Sequence, residues 1–498
     1  MHYDTLIRNA LLLDGSGAPG AIGDLGIIGE RIAFIGRAGA DDTAADVIDA
    51  TGLALAPGFI DAHTHDDTIV IRDPAMLPKL SQGVTTVIVG NCGISAAPVT
   101  LRGEPPDPMN LLGPAAAFCF PSFADYRAAV DAAVPALNVA ALVGHTALRN
   151  NVMPALDRTA TDAEIAAMRT QLRESLDAGA LGLSTGLAYA NAHQATTDEV
   201  VALAGELDRV GGLYATHLRS EFEPVLEAIE EACEIGQRAS APVIVSHLKC
   251  AGAGNWGRSP QLLGALEQAG RYQAVGCDCY PYAASSSTLD MKQVTSDFPI
   301  TITWSTPHPE MGGRQLADVA AEWQVSLHEA AQRLQPAGAV YYGMSEDDVR
   351  RILSHPLTMV GSDGLPDDPL PHPRLWGAFA RVLGHYSRDV GLFPLHEAVH
   401  KMTGLPARRF GLAGRGVLAA GNWADLVMFH PEHIADRARF DDPVQPAAGI
   451  HGVWVNGVPA YRDGVPLARN GRFLAREHDL RDGFAAASPP RPTQSQSN

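Results

Sequence analysis

The sequence predicts an α/β fold, a TIM-like (β/α)8 barrel joined to a small β-sandwich domain that both termini form. Eight apolar, strand-like runs between residues 53 and 361, separated by helical stretches, predict the barrel. Short strands with glycine turns at both ends of the chain predict the second domain. We therefore assign residues 1–54 together with 416–480 to the small β domain and residues 55–415 to the barrel. A doubly wound open sheet is the competing fold.

The two ends of the chain carry the strand and turn signals of the small β domain. The amino-terminal segment predicts strands at residues 5–13, 25–28, 31–35 and 47–49. Residues 416–464 contain Gly-Asn at 421–422 and Asn-Gly at 456–457, pairs that are typical of tight turns, so we expect strands on either side of both. The last stretch, residues 481–498, is polar and of low complexity, and we predict that it is disordered.

The middle of the chain alternates strand-like and helical segments. Helices are predicted at residues 161–178, which open with the capping pair Thr161 and Glu164, and at residues 224–239. In such a barrel the active site lies at the carboxyl ends of the strands. The eight runs are residues 53–62, 84–90, 139–144, 180–184, 212–216, 242–246, 274–279 and 357–361.

Two connections in the barrel are longer than a plain crossover needs. Residues 100–122 are rich in proline and resemble a loop. Residues 281–356 separate the seventh and eighth runs and contain predicted helices around 314–324 and 345–353. A segment of that size above the strand ends is a candidate lid, and a decorative subdomain is the alternative.

Composition and charge exclude several classes of function. The chain has 37 Lys and Arg against 56 Asp and Glu, a net charge of −19, which argues against nucleic acid as a partner. A secretion signal and an apolar run of eighteen residues are both missing, which argues against export and membrane insertion. Six cysteines in 498 residues do not make a disulfide scaffold, so we predict free thiols in the cytoplasm. We expect a small-molecule substrate, and the oligomeric state has no signal in the sequence.

The strand ends carry a pattern of metal donors. His63 and His65 follow the first run, and residues i and i+2 of a strand point to the same side. Imidazole and thiolate are the donors that zinc prefers. Each residue alone is explained by ordinary packing or hydrogen bonding, but their joint placement at one rim predicts a zinc site. The other donors at strand ends are Cys92, His217, His247 and the carboxylate Asp363.

Six segments carry a resemblance to a known family. PGFIDAHTH, IVGNCG, GLSTGLAYA, YATHLRSE, IVSHLKC and GSDG resemble the amidohydrolase superfamily and, within it, the N-acyl-D-amino-acid deacylase (D-aminoacylase) group. The resemblance extends to about residue 480 and implies a zinc-dependent hydrolase that cleaves N-acyl-D-amino acids into a carboxylate and a free D-amino acid. It implies a tight zinc on Cys92, His217 and His247 and a weaker second site on His63 and His65.

The sequence departs from many relatives at the fourth strand. Those relatives bridge two metals with a carboxylated lysine at the end of that strand, where this chain reads GLSTGLAY without a lysine. Cys92 is therefore the candidate bridging donor. Whether the second site fills is left open by the sequence.

Asp363 is the predicted catalytic residue. A carboxylate beside a zinc-activated water can take the proton of that water and pass it to the departing nitrogen. A turn-capping role in the Ser-Asp-Gly turn is the alternative. Its place at a strand end, opposite the histidines, favours catalysis.

Five further residues are candidate substrate contacts that the resemblance supports. Arg374 and Lys249 would bind the α-carboxylate of the substrate. Tyr280 and Ser286 are candidate hydroxyl donors, and Tyr189 would form a wall of the side-chain pocket. The sequence has no residue that selects among acidic, apolar and polar D side chains.

Other functions remain open at this point. A cyclic amidohydrolase of the hydantoinase or dihydroorotase kind, or a D-residue dipeptidase, would use the same scaffold, and a non-catalytic barrel would have lost its metal donors. Residues 396–400, HEAVH, also fit the zinc-protease pattern H-E-x-x-H. The extended protease pattern is broken by Thr403 and Pro406, and an amphipathic barrel helix explains the segment.

Overall fold

Eight parallel strands form a closed barrel in the computed structural model, which describes residues 1–484. Each of the eight predicted runs contributes one strand to the barrel, and consecutive barrel strands pair in parallel. Hydrogen bonds from Ala62 N to Val360 O (3.3 Å) and from Asp363 N to His63 O (2.7 Å) join the eighth strand to the first. The barrel strands are Phe59–Asp61, Val84–Val89, Asn138–Ala141 with Val143–Gly144, Gly182–Gly186, Leu213–His217, Val243–Val245, Val275–Cys279 and Thr358–Val360.

The inside of the barrel is a packed core. Apolar side chains such as Ile88, Ile244 and Met359 fill it, and Phe410 and Leu480 join the same cluster. Leu480 N donates to Gly211 O, which precedes the fifth strand, so these residues close the amino-terminal end of the barrel. The carboxyl ends of the strands are left as the face on which a site can form.

Helices cover the outside of the barrel, and both predicted ones are present. Asp162–Asp177 begins with a capping box, because the Thr161 hydroxyl accepts from Glu164 N and the Glu164 carboxylate accepts from Thr161 N. Val225–Ala239 is the second. The other α-helices are Ile69–Arg72, Leu77–Leu80, Phe123–Ala133, His145–Val152, Ala190–His193, Thr197–Ala204, Ser259–Ala269, Leu316–Trp323, Leu327–Leu334, Glu346–Ser354, Arg374–Arg381, Leu395–Met402 and Gly404–Arg409, and Val382–Asp389 is a π-helix.

Strands from both ends of the chain form one sheet of nine strands. The Asn456–Gly457 turn has positive φ at both residues (48° and 79°) and joins two antiparallel strands, as expected for Asn-Gly. The prediction of a strand at 416–420, before the Gly-Asn pair, is wrong. This segment is a loop, and its Leu418 N donates to Asp14 O. The strands are His2–Leu12, Ala21–Ile28, Arg31–Gly36, Thr43–Asp49, Ala54–Pro57, Leu426–Phe429, Ile450–Val455, Val458–Arg462 and Val465–Pro466.

The predicted run at 53–62 belongs to two sheets. Ala54–Pro57 pairs antiparallel with Leu426–Phe429 in the terminal sheet, whereas Phe59–Asp61 is the first barrel strand. Gly58 lies between them, and a Cβ at this position would lie 2.2 Å from the Thr85 side chain. The chain therefore changes sheets at a residue where only glycine fits.

The long insertion contains a small sheet that the sequence analysis did not predict. Ser285–Thr288, Ile300–Ser305 and Ala337–Tyr341 form three antiparallel strands, and two helices complete a separate apolar cluster. Only the first of these, Leu316–Trp323, was expected. The predicted helix near 345–353 is Glu346–Ser354, whose Val349 and Ile352 belong to the main core. The inserted unit thus spans about residues 285–341, which is narrower than 281–356.

The remaining predicted segments are loops and a tail. Residues 100–122 form a loop with two 3-10 turns, Met109–Leu112 and Ala115–Ala117. Residues 481–484 are not disordered, since they belong to the 3-10 turn Leu480–Phe484; residues 485–498 lie outside the described residues. Among the described helices, none combines the length and apolarity of a membrane span.

A buried polar network ties the terminal sheet to the barrel. Arg415 pairs with Asp425, and the side chains of both are 4% exposed. Asp425 also accepts from Asn456 N (2.7 Å) and from Asn138 Nδ2 (3.3 Å), and Asn138 begins the third barrel strand. Within residues 1–484, the charge of Asp425 is thus compensated by the guanidinium and these amide donors.

We expect Arg415→Met to lower the free energy of unfolding by about 3–5 kcal/mol, because the substitution leaves a buried carboxylate without its counter-ion. The exposed pair Arg439–Asp441 supplies the control, and Arg439→Met should leave stability unchanged. Urea unfolding followed by circular dichroism measures both variants. Equal stabilities for the two would contradict the structural role of this network.

Candidate metal centre

The six predicted metal-site residues lie together at the carboxyl ends of the barrel strands. Five are buried, and the side chain of His217 is 12% exposed. His217 ends the fifth strand, and His247 follows the sixth by two residues. The predicted convergence of side chains from separate strands on one rim is therefore present in the structure.

These residues form two groups that share one sulfur. The first donor group consists of Cys92, His217 and His247, and the second donor group consists of His63, His65, Cys92 and Asp363. The ligand atoms within each group lie within 4.8 Å of one another. Cys92 Sγ lies 3.2 Å from His63 Nε2 and 3.3 Å from His247 Nε2, and His65 Nε2 lies 3.1 Å from Asp363 Oδ1.

The chemistry of both groups fits a divalent metal. Thiolate, imidazole and carboxylate are the donors that zinc takes in proteins. The Nδ1 atoms of His65 and His217 are buried and have no hydrogen-bond partner among the described residues. An unpaired buried nitrogen is costly without a ligand, so the Nδ1 of His217 is consistent with a cation in the first donor group, whereas His65 faces Asp363 through Nε2.

The two anionic donors are held in their charged forms. Burial raises the pKa of the Cys92 thiol, but the nearby His63 and His247 outweigh burial and hold that pKa well below its usual value. Burial also raises the pKa of Asp363, and Arg374, together with His65, lowers it far below its usual range. Thiolate and carboxylate are the forms that bind metal.

Three of the site residues have left-handed backbone conformations. Cys92 (φ 53°), His247 (φ 36°) and Asp363 (φ 50°) are not glycines, so each position is strained. Hydrogen bonds from the surrounding structure hold these turns. His247 N donates to Asp278 Oδ1 (2.9 Å), and Asp363 N donates to His63 O (2.7 Å).

Two carboxylates that orient the histidines were missed in the sequence analysis. Asp278 lies in the seventh strand, and its carboxylate is 3.3 Å from His63 Nδ1. Glu221 Oε1 lies 2.9 Å from His247 Nδ1. Such carboxylates fix the ring orientation of metal-binding histidines. Asp278 was detectable as an acid near a strand end, whereas no sequence signal distinguished Glu221.

Four of the five predicted substrate contacts line a cavity next to the donor groups: Lys249, Tyr280, Ser286 and Tyr189. Lys249 Nζ lies 2.5 Å from Glu221 Oε1 and 2.8 Å from His247 Nδ1. The ring of Tyr189 lies 4.9 Å from that of His217. The Ser286 hydroxyl has no hydrogen-bond partner among the described residues and is thus available to a ligand.

Arg374 lies beside the cavity and is not among the residues that line it. Its side chain is 1% exposed and does not line the cavity, because the guanidinium faces Asp363 Oδ2 at 2.8 Å. It also donates to Ser286 O (3.0 Å) and lies 4.6 Å from the centroid of the Tyr280 ring. In this structure the partner of Arg374 is therefore the predicted catalytic carboxylate.

The cavity has a volume of about 570 Å³ and lies between the barrel rim and the insertion. His65, His217, His247 and Asp363 form its floor. Residues 285–293, together with Trp304 and Tyr341, contribute the insertion side. This volume is within the range of small-molecule sites in proteins.

The H-E-x-x-H segment lies elsewhere. His396 and His400 are on the helix Leu395–Met402, and His400 Nδ1 contacts Gly15 O of the amino-terminal region at 2.8 Å. Neither histidine belongs to the two donor groups found in the described residues. A barrel helix is thus the observed role of this segment.

Comparison with known proteins finds relatives over nearly the whole chain. A family model described as "Amidohydrolase family" matches residues 46–461. D-aminoacylase of Alcaligenes xylosoxydans xylosoxydans is 50% identical over 95% of this chain and 98% of its own. N-acyl-D-aspartate deacylase of the same organism is 49% identical over 91% of each chain.

Solved structures agree with these sequence matches. N-acyl-D-glutamate deacylase from Bordetella bronchiseptica, complexed with zinc and a phosphonate inhibitor, has a TM-score of 0.91 at 46% identity and covers 97% of this chain and 100% of its own. A D-hydantoinase structure, at 16% identity and a TM-score of 0.60 over 96% of this chain and 99% of its own, shares the fold alone. This chain belongs to the amidohydrolase family and, within it, to the N-acyl-D-amino-acid deacylase group.

Proposed function

We propose that this protein is a zinc-dependent hydrolase of N-acyl-D-amino acids, which releases a carboxylate and a free D-amino acid. The observation that carries the proposal is the pair of donor groups sharing Cys92, with Asp363 at their edge and Lys249 in the same cavity. The relatives that share this barrel over nearly their full length are deacylases of N-acyl-D-amino acids.

Two zinc sites of unequal strength are part of the proposal. Cys92, His217 and His247 would hold the tight ion, and His63 with His65 would hold a weaker one, with Asp363 as a further donor. When bound, zinc supplies a Lewis acid for the acyl carbonyl and lowers the pKa of a bound water to about 7. The Cys92 thiolate, which belongs to both donor groups, would supply the shared ligand that a carboxylated lysine supplies in other relatives.

Asp363 would transfer the proton. Burial raises the pKa of this carboxyl group, but the nearby Arg374 outweighs burial and holds that pKa well below its usual range. The carboxylate is therefore ionised at neutral pH. Oδ1 faces His65, whereas Oδ2 faces Arg374. The carboxylate accepts a proton from the attacking water and returns it to the amide nitrogen as the C–N bond breaks. Arg374 keeps the carboxylate charged and fixes its orientation.

The α-carboxylate of the substrate would bind near Lys249, Tyr280 and Ser286. The ammonium of Lys249 is 5.6 Å from the centroid of the Tyr280 ring, and the free Ser286 hydroxyl lines the same cavity. Arg374 would contribute positive charge to this site from behind Tyr280 and Ser286, because its guanidinium contacts both residues. A carboxylate anchored there fixes one substituent of the α-carbon, which is how the enzyme would sense chirality.

The insertion would act as a lid. Its strand Ser285–Thr288 lies on the cavity together with Asp290 and Gln293. A lid separates the cavity from bulk solvent and helps to position the substrate. A cyclic-amide substrate or a D-dipeptide remains an alternative, although the hydantoinase relationship extends only to the fold.

A substrate panel tests the proposal directly. We expect the zinc-loaded protein to hydrolyse N-acetyl-D-methionine or N-acetyl-D-glutamate at least tenfold faster than the L forms. The α-carboxylate and the amide must reach two separate, fixed groups at the same time, and the two configurations at the α-carbon cannot do so equally well. Amine release measures the rates, with zinc quantified in the same sample. Inactivity on every acylated D substrate would remove the deacylase assignment, and turnover of hydantoin alone would favour the cyclic-amide alternative.

We expect Cys92→Ala to reduce bound zinc to less than about a tenth of the wild-type content, because both donor groups lose their shared thiolate. Cys277→Ala is the matched control, since Cys277 is equally buried but contacts Thr358 and belongs to neither donor group. Atomic emission after dialysis measures the zinc. Full zinc retention in the Cys92 variant would contradict the shared-thiolate site.

We expect Asp363→Asn to lower kcat at least about a hundredfold, because an amide cannot accept the proton of the attacking water. KM should change little, and zinc in the first donor group should be retained, since Asp363 is not part of that group. Steady-state kinetics on the best D substrate and zinc analysis measure these effects. An unchanged kcat would assign Asp363 a purely structural role.

A further inference from the structure

A completely buried lysine lies beneath the second donor group. Lys79, in the short helix Leu77–Leu80, has a side chain that is 0% exposed. Its ammonium donates to Asp61 Oδ2 (2.7 Å), Thr64 Oγ1 (2.8 Å) and Ser362 Oγ (2.6 Å), and it lies 3.4 Å from Asp66 Oδ2. With all three protons donated, this nitrogen has no lone pair with which to act as a base or nucleophile.

The acceptors of Lys79 come from two different strand exits. Asp61, Thr64 and Asp66 flank the metal-site histidines at the end of the first strand, whereas Ser362 directly precedes Asp363 after the eighth. Asp61 reinforces the connection, because its carboxylate also accepts from Ser362 N (2.8 Å) and Ser362 Oγ (2.6 Å). The network therefore crosses the seam at which the barrel closes.

The backbone on both sides of this seam is interlocked with the network. His65 N donates to Gly364 O (3.2 Å), and Gly364 N donates to Ser362 Oγ (3.1 Å). Between these bonds lies Asp363 in its left-handed conformation. A strained residue keeps such a conformation only when its surroundings over-determine it, and the hydroxyl that Lys79 binds is one of the groups that do so.

The charge of Lys79 is also matched to its surroundings. Burial lowers the pKa of the ammonium, but Asp61 and Asp66 outweigh burial and raise that pKa above its usual value. The lysine thus remains a cation between two buried carboxylates. A neutral side chain at this position would leave those carboxylates uncompensated and free to repel each other.

We propose that Lys79 is a positioning residue of the metal centre, which fixes the separation between the His63–His65 pair and Asp363 by tying the first strand exit to the eighth. The inference rests on the proposed function, because that separation matters for proton transfer and for the second metal. A displacement of about 1 Å in such a site is enough to reduce turnover by orders of magnitude.

Two pairs of variants test the proposal. Lys79→Met removes the ammonium, and Lys401→Met is its control, because Lys401 is similarly buried but its ammonium donates to His355 O (2.6 Å), away from the site. Thr64→Val removes only one hydroxyl of the network, and Thr64→Ser restores it. The Thr64 pair decides the question if Lys79→Met does not fold.

The measurements are kcat and KM on the best N-acetyl-D substrate, and the affinities for the first and second equivalents of Zn²⁺ by chelator competition. We expect Lys79→Met and Thr64→Val to lower kcat at least tenfold with KM within threefold. The affinity for the second equivalent should fall at least tenfold, while the first equivalent binds as in the wild type. Thr64→Ser should recover most of both losses, and Lys401→Met should change neither.

Other outcomes overturn the inference. Unchanged kcat and unchanged second-equivalent affinity in Thr64→Val would reduce the network to a stabilising role, as would equal losses in Lys401→Met. If the wild type hydrolyses no acylated D substrate, the proposed function fails, but the zinc titration still decides the positioning role. A wild type that neither turns over substrate nor binds a second equivalent would contradict both proposals.

Discussion

The shared thiolate of Cys92 is the constraint on which the rest of the rim depends. Its sulfur lies 3.2 Å and 3.3 Å from imidazole nitrogens that arrive from two different strands. A buried thiolate at that position is stable only if positive charge surrounds it, as imidazolium or as metal. The histidines are placed so that they can supply this positive charge, or bind a metal that supplies it. The carboxylates behind them and the strained turns hold the donors in that arrangement.

Charges behind the donors keep the site in one geometry. Asp278 and Glu221 orient His63 and His247, Arg374 faces Asp363, and the Lys79 network joins the two strand exits. Each is a buried or nearly buried ion that its partners compensate. Buried charges cannot move without losing their partners. They therefore restrict the side chains of both donor groups more firmly than apolar packing would. The apolar core below then serves as the rigid base from which the strand ends project.

The sequence allowed the barrel and its donors to be predicted because both follow from local patterns. Apolar runs with helices between them indicate parallel strands, and the carboxyl ends of such strands meet at one rim, so Cys92 and His247 could be placed together without coordinates. The partner of Arg374 could not be predicted, since eleven residues of separation do not determine the direction of a side chain. Glu221 and Lys79 were missed for a similar reason, because their roles depend on contacts between segments distant in sequence.

The fold was misjudged where short-range patterns compete with packing. The run at 53–62 reads as one strand, but the chain turns into a second sheet at Gly58, where the Thr85 side chain excludes a Cβ. The strand Ser285–Thr288 has little apolar content and left no clear signal, whereas the β-branched run Ile300–Ser305 could have been recognised as a strand. Residues 481–484 read as part of a polar tail, but they belong to the 3-10 turn Leu480–Phe484, which packs against the end of the barrel core.

Anomalous diffraction from crystals of the zinc-loaded protein, recorded at the zinc absorption edge, tests the central claim most directly. The account predicts a strong peak about 2.3 Å from Cys92 Sγ and about 2.0–2.1 Å from nitrogens of His217 and His247. A zinc peak that is bound by His63, His65 and Asp363 with Cys92 turned away, or that lies outside this rim, would contradict it.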